Sequence, residues 1–158
     1  MSGKRRVAIT GIGVVSPVGL TYESFISSLF EGLYAVVIME EWQRSPRGLS
    51  TRLAAPVQNF DGQAIPRVFR RSMSRVSLLA VEATTQAIRH AGLAAEDLQN
   101  ERTGIAYGST MGGTSTLEDY CTSYLKTNDF SSAANSTTFL KIMPHTSAAN
   151  LAITFSIP

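Results

Sequence analysis

A single cysteine, Cys121, stands in the 158-residue chain, so no internal disulfide framework can staple it, and such usage suits a reducing cytoplasm. Histidine is almost as scarce. His90 and His145 are the whole complement, and no cluster of possible metal ligands surrounds either. A formal net charge of +2 is too small to imply nucleic acid as a partner. No apolar run reaches spanning length, which argues against a membrane protein. Lys4 to Arg6 lead into a short strand-like run without the small-residue cleavage site of a secretory leader, so the expected location is cytoplasmic. A Walker phosphate loop is missing too. Gly11-x-Gly13 follows a strand-like run, but Ser16 stands where a dinucleotide fingerprint needs its third glycine, and no acidic residue follows at the expected distance. No nucleotide or other cofactor is expected.

What is present describes a packed domain. Hydrophobic residues make up 44% of the chain against 16% charged, and a chain of this length can bury roughly two-thirds of its unfolded surface. Arg6 to Gly19, RVAITGIGVVSPVG, organises the rest. Val7 to Thr10 read as a central strand apolar on both faces, and Gly11 and Gly13 let the backbone pass close to a neighbour. Thr21 is placed to cap a helix carrying Tyr22, Phe25, Ile26, Leu29 and Phe30 on one face, and Gly32 to end it in a left-handed conformation.

Tyr34 to Met39 could form a short buried strand, the segment through Ser50 with Trp42, Pro46 and Gly48 an irregular surface excursion, and Leu53 to Val57 a weak strand interrupted by Pro56. Ser72 to Ala91 is the clearest helix, with Met73, Val76, Leu79, Ala80, Ala83, Ala87, Ile88 and Ala91 on one stripe and Gly92 after it. Arg102 to Gly113 is a strand running into a glycine turn. From Thr114 a helix places Leu117, Tyr120, Cys121, Tyr124 and Leu125 on one face. Asn128 to Ser136 reads as a loop, and Ala148 to Phe155 as an apolar helix. Alternating strands and helices of this kind give an α/β domain with a largely parallel sheet.

Four stretches carry a resemblance. RVAITGIGVVSPVG, SMSRVSLLAVEATTQAIRHAGL, RTGIAYGSTMGG and MPHTSAANLAI resemble, in order, signatures of the β-ketoacyl-acyl carrier protein synthases, the condensing enzymes of fatty acid and polyketide synthesis. In the last stretch His145 stands where the family usually has Asn. The resemblance implies the N-terminal half of a thiolase-like layered fold, a mostly parallel mixed sheet packed by helices. It implies that residues 1–158 are an incomplete N-terminal synthase domain, ending before the nucleophilic cysteine. The parent activity would be elongation of acyl thioesters by decarboxylative condensation with malonyl-carrier protein. Acyl carrier protein would be the partner, drawn to the basic cluster Arg67, Arg70, Arg71 and Arg75, and the parent would be a homodimer. By position, Met111, with Gly112 and Gly113, resembles the family's gate to the acyl pocket, and Thr137 and Thr138 match a pocket wall drawn from the partner subunit; read from the residues alone, Met111 is equally a filler of a gap in the core.

The chemistry itself needs an acylated nucleophile, most simply a thiolate at a helix N-terminus, and in the family two later histidines that stabilise an enolate. Cys121 reads instead as a mid-helix residue on a buried face, an inert packed thiol. His90 closes a helix and His145 precedes one, and both read as structural. The chain alone is therefore expected to be inactive. Alternatives of other classes are a non-catalytic partner resembling the chain-length factors, a polyketide-type synthase, and a free-standing small α/β binding domain.

Overall fold

The computed structural model describes residues 6–43 and 50–158, so the excursion expected around Pro46 and Gly48 lies outside the described residues. The chain divides into two units, Val14–Asp61 and Met1–Gly13 with Gly62–Pro158.

In the smaller unit, helix α1 (Tyr22–Phe30) begins where Thr21 predicts. The Ser24 N–H donates to Thr21 Oγ1 at 3.2 Å, and the Thr21 N–H donates back to Ser24 Oγ at 3.1 Å, a reciprocal cap for two otherwise unsatisfied donors. Ser28 Oγ donates to the Val18 carbonyl at 2.6 Å and ties the helix to the preceding turn. Gly32 follows at φ 68°, the left-handed conformation expected of it. Strand β1 (Val37–Ile38) pairs antiparallel with β2 (Leu53–Ala54), Val37 opposite Ala54 and Ile38 opposite Leu53. The expected strand therefore forms, but it is not buried: Ile38 is 56% and Tyr34 83% exposed. Helix α2 (Glu40–Gln43) stands where irregular chain is expected, its two glutamates favoured by the positive end of the helix dipole.

The larger unit is built around α4 (Arg75–Ala91), preceded by Ser74 and closed by Gly92 at φ 66°. Pro66 starts a short helix missed in the sequence, α3 (Arg67–Arg70). Then follow α5 (Ala95–Leu98), α6 (Thr114–Thr127), α7 (Phe130–Ala133), α8 (Ser136–Ile142) and α9 (Thr146–Phe155). Helix α9 packs along α4. The core comprises Ile65, Met73, Ala80, Val81 and Leu151, with Phe69, Leu78, Ile105, Tyr107 and Phe155 against it.

The strand-like stretches depart from expectation. Residues 7–10 join no ladder among the described residues, and Val7 and Ile9 are 93% and 85% exposed. The close approach expected of the glycines is nonetheless real. A Cβ on Gly11 would strike the Ala87 carbonyl oxygen and one on Gly13 that of Ala83, so the segment lies directly on the alanine-rich face of α4. Residues 103–110 also lack a ladder, yet Thr103, Ile105, Tyr107 and Ser109 are half-buried while Gly104, Ala106, Gly108 and Thr110 are exposed. That is the two-residue period of an extended chain with one face on a core. Strand pairing draws its stability from cross-strand neighbours more than from propensity, and among the described residues neither stretch has one.

Candidate substrate-binding grooves

Helix α6 starts from the glycine turn and is held there by α8. The Gly113 N–H donates to the Lys141 carbonyl at 2.7 Å, and a Cβ on Gly112 would collide with the Ile142 carbonyl oxygen. Only a glycine backbone can approach that closely. The turn therefore sits on the C-terminal end of α8. Met111 is 53% exposed and so is no filler of a core gap; Ser109 Oγ donates to its carbonyl at 2.6 Å.

Helix α8 is set at its other end by Asn135, whose Oδ1 accepts from the Thr137 and Thr138 N–H groups, each at 3.0 Å. With Asn135 capping, Thr137 and Thr138 stand in the first turn, on two different sides. Thr138 lines a groove of about 330 Å³ between α6 and α8, walled by Leu117, Tyr120, Phe139, Ile142 and Met143. Thr137 lines a second groove, of about 550 Å³, with Phe69, Arg71, Leu140, Asn150 and Ile153. The structure thus brings the glycine turn and the two threonines onto one helix, but at opposite ends of it and facing two grooves. No role as walls is expected of Phe139 and Ile142 from sequence, and the stretch from Asn128 to Ser136, expected as loop, instead holds α7 and, capped by Asn135, the start of α8.

Tyr124 stacks on Phe130 with ring centroids 4.1 Å apart and planes 26° apart, so α7 covers part of α6. Asp129 caps α7. Hydrogen bonds from the Ser131 hydroxyl and N–H hold its carboxyl below the usual value.

Cys121 lies in the middle of α6, as expected, but it is exposed, and Leu117 and Leu125 beside it are 37% and 81% exposed. The packed thiol is thus corrected to an open one, since the described residues cover that face only around Tyr120 and Tyr124. Mid-helix, it gains nothing from a helix N-terminus. His90 is a tether, its Nδ1 3.1 Å from Ile12 N and 3.2 Å from Ile12 O, so it accepts from one or donates to the other according to tautomer. His145 immediately precedes α9. Cys121 makes no hydrogen bond to either histidine.

Arg67 and Arg71 are exposed, Arg70 is half-buried with Nη1 donating to Gln63 Oε1 at 2.6 Å, and Arg71 stands at the larger groove. No group of His, Cys, Asp or Glu among the described residues could hold a metal ion, and none of their helices is long and apolar enough to cross a membrane.

Helices packed over glycine-bearing extended segments define an α/β protein of thiolase-like ketosynthase fold. The chain belongs to the β-ketoacyl synthase family, its residues 4–157 matching the family's N-terminal domain. It is 35% identical over 116 residues to 3-oxoacyl-[acyl-carrier-protein] synthase 2 of Vibrio harveyi, a match covering 73% of this chain and 28% of that protein. The crystal structure of a β-ketoacyl synthase from Burkholderia phymatum superposes with a TM-score of 0.84 at 35% identity, over 97% of this chain and 37% of that one. A type II PKS acyl-carrier protein in complex with its ketosynthase bound to the hexaketide shares the fold, with a TM-score of 0.76 at 20% identity over 98% of this chain and 41% of that one. The chain thus spans under half the length of the relatives it matches.

Proposed function

We propose that the chain is the N-terminal part of a 3-oxoacyl-acyl carrier protein synthase serving fatty acid biosynthesis. The parent enzyme takes an acyl group from its carrier onto a nucleophile, releasing the carrier thiol. Decarboxylation of malonyl-carrier protein then yields CO₂ and an enolate, whose carbon attacks the acyl carbonyl and frees the nucleophile as 3-oxoacyl-carrier protein forms. The observation that carries this reading is the family match across almost the whole chain, joined to similarity with a 3-oxoacyl-[acyl-carrier-protein] synthase.

In this reading Met111, Gly112, Gly113 and Thr138 border the acyl site, the α6/α8 groove forming part of its wall, and Thr137 faces the neighbouring groove. The acidic carrier protein meets the face of Arg67, Arg70, Arg71 and Arg75, where the exposed Arg67, Arg71 and Arg75 steer an anionic partner. The parent works in the cytoplasm as a homodimer. The chain alone contributes scaffold and wall, because its one thiol sits mid-helix and makes no hydrogen bond to either histidine.

The test supplies acyl- and malonyl-carrier protein to the chain and to its full-length parent, and follows 3-oxoacyl product by mass spectrometry. Product from the parent alone is the expected result, and turnover by the 158-residue chain refutes the assignment. A parent that binds carrier without condensing is a chain-length-factor-like partner instead.

A further inference from the structure

The two most deeply buried side chains among the described residues are not aliphatic. Ser77 on α4 and Ser147 on α9 are each 1% exposed, Ser74 is 5% and Asn150 7%. They are joined into one chain of hydrogen bonds. Ser77 and Ser147 hydroxyls stand 2.9 Å apart, Asn150 Nδ2 donates to Ser77 Oγ at 3.3 Å, and Ser72 Oγ donates to Asn150 Oδ1 at 3.2 Å. Burial of the Tyr107 hydroxyl raises its pKa, an effect that Ser147 partly offsets. Every fully enclosed side-chain polar atom among the described residues has a partner.

Such a network costs desolvation and returns little net stability when all its partners are made. Its value is geometric. Around it α4 and α9 share an apolar core of Ala80, Val81 and Leu151, and apolar contact is non-directional, so on its own it sets the axial register of one helix on another only loosely. Hydrogen bonds have fixed lengths and directions, so a shift of α9 by one turn along α4 leaves Ser77, Ser147 and Asn150 unpaired in an apolar core. Leaving those groups unpaired is far more costly than the intact bonds are favourable.

We infer that Ser77, Ser147 and Asn150 are positioning residues that fix the rotation and axial register of α9 on α4, and with it the floor of the larger groove. That floor is made by the same helix. Asn150, Ile153 and Thr154 all line the groove, and Thr154 Oγ1 donates to the Asn150 carbonyl at 2.7 Å. Sliding or rotating α9 would exchange these side chains for others. The inference concerns the fold's own geometry and stands whether or not the groove serves a condensing enzyme.

The test is the double variant Ser77→Ala with Ser147→Ala, which removes both hydroxyls of the central pair and leaves neither to search for the other. The expected result is a protein with a thermal midpoint close to the parent's, but with α9 amides that split into more than one NMR resonance and exchange at least tenfold faster than those of α4. A single, sharp set of α9 resonances with unchanged contacts to α4 overturns the inference. Should the double variant not fold, the unmodified chain decides: the Asn150 carboxamide protons are expected to exchange at least a hundredfold more slowly than those of exposed Asn135, and exchange at the same rate overturns it.

Discussion

Gly13 lies so close beneath Ala83 that a side-chain carbon on the glycine would occupy the space of the Ala83 carbonyl oxygen. The neighbouring turn of α4 repeats the arrangement, Ala87 over Gly11. Backbone meets backbone here, and no flexible side chain can yield. Gly13→Ala is expected to destabilise the chain by about 1–3 kcal/mol, the range for overpacked sites, seen as a lower urea midpoint with unchanged slope. A midpoint equal to that of the parent chain would mean that the segment is not seated on the helix.

Thr21 supplies the cap of α1, and its loss is readable in the same way. Thr21→Ala removes the acceptor for the Ser24 N–H and is expected to cost about 1 kcal/mol, whereas Thr21→Ser retains the hydroxyl and should stay near the parent. Urea unfolding of the two variants separates a capping effect from a loss of the threonine methyl.

Asp129 gives a pH dependence of definite sign. Its folded-state pKa is depressed, chiefly by the Ser131 hydroxyl and then by the Ser131 N–H. Its contribution to α7 is therefore present above the unfolded carboxyl value of about 3.9 and is lost as pH falls through the lower folded value. Carboxyl carbon chemical shifts of Asp129 should titrate below those of a random-coil aspartate, and Ser131→Ala should move the titration upward.

The Cys121 thiol is open to solvent and makes no hydrogen bond among the described residues. Native protein is expected to react with a disulfide reagent at a rate within about tenfold of the urea-unfolded chain, thiolate access being what governs that chemistry. Strong protection in the native state would show that the face of α6 around Leu117 and Leu125 is covered. Cys121→Ser should leave the thermal midpoint essentially unchanged.

What could be read from the sequence divides by how local its cause is. The ends of α1 and α4 were legible because Thr21, Gly32 and Gly92 decide them through the backbone of their own turn. The spacing of apolar residues located α6 and α9. Gly11 and Gly13 announced a close neighbour, and that neighbour proved to be α4. The extended stretches were harder, since a strand needs partners distant in sequence: residues 103–110 keep the alternation of burial without the ladder. Helix α6 misled for the same reason. Periodicity shows that Leu117, Cys121 and Leu125 share a face, not whether anything covers it. At the grooves, Met111 to Gly113 stood out by composition, whereas Phe139 and Ile142 became visible as walls only once Asn135 was seen to start α8. The serines inside α4 and α9 gave no signal, because a small polar residue on a helix reads as a solvent position until the opposing helix is known.

The exposure of Val7 and Ile9 has a practical consequence. A segment with its N–H and C=O groups outside any ladder among the described residues, flanked by exposed aliphatic side chains, is a template onto which a further strand can add. Protein concentration, more than intrinsic folding free energy, then decides how long the isolated chain stays dispersed, and a sedimentation boundary that broadens and quickens with loading is the form that behaviour takes.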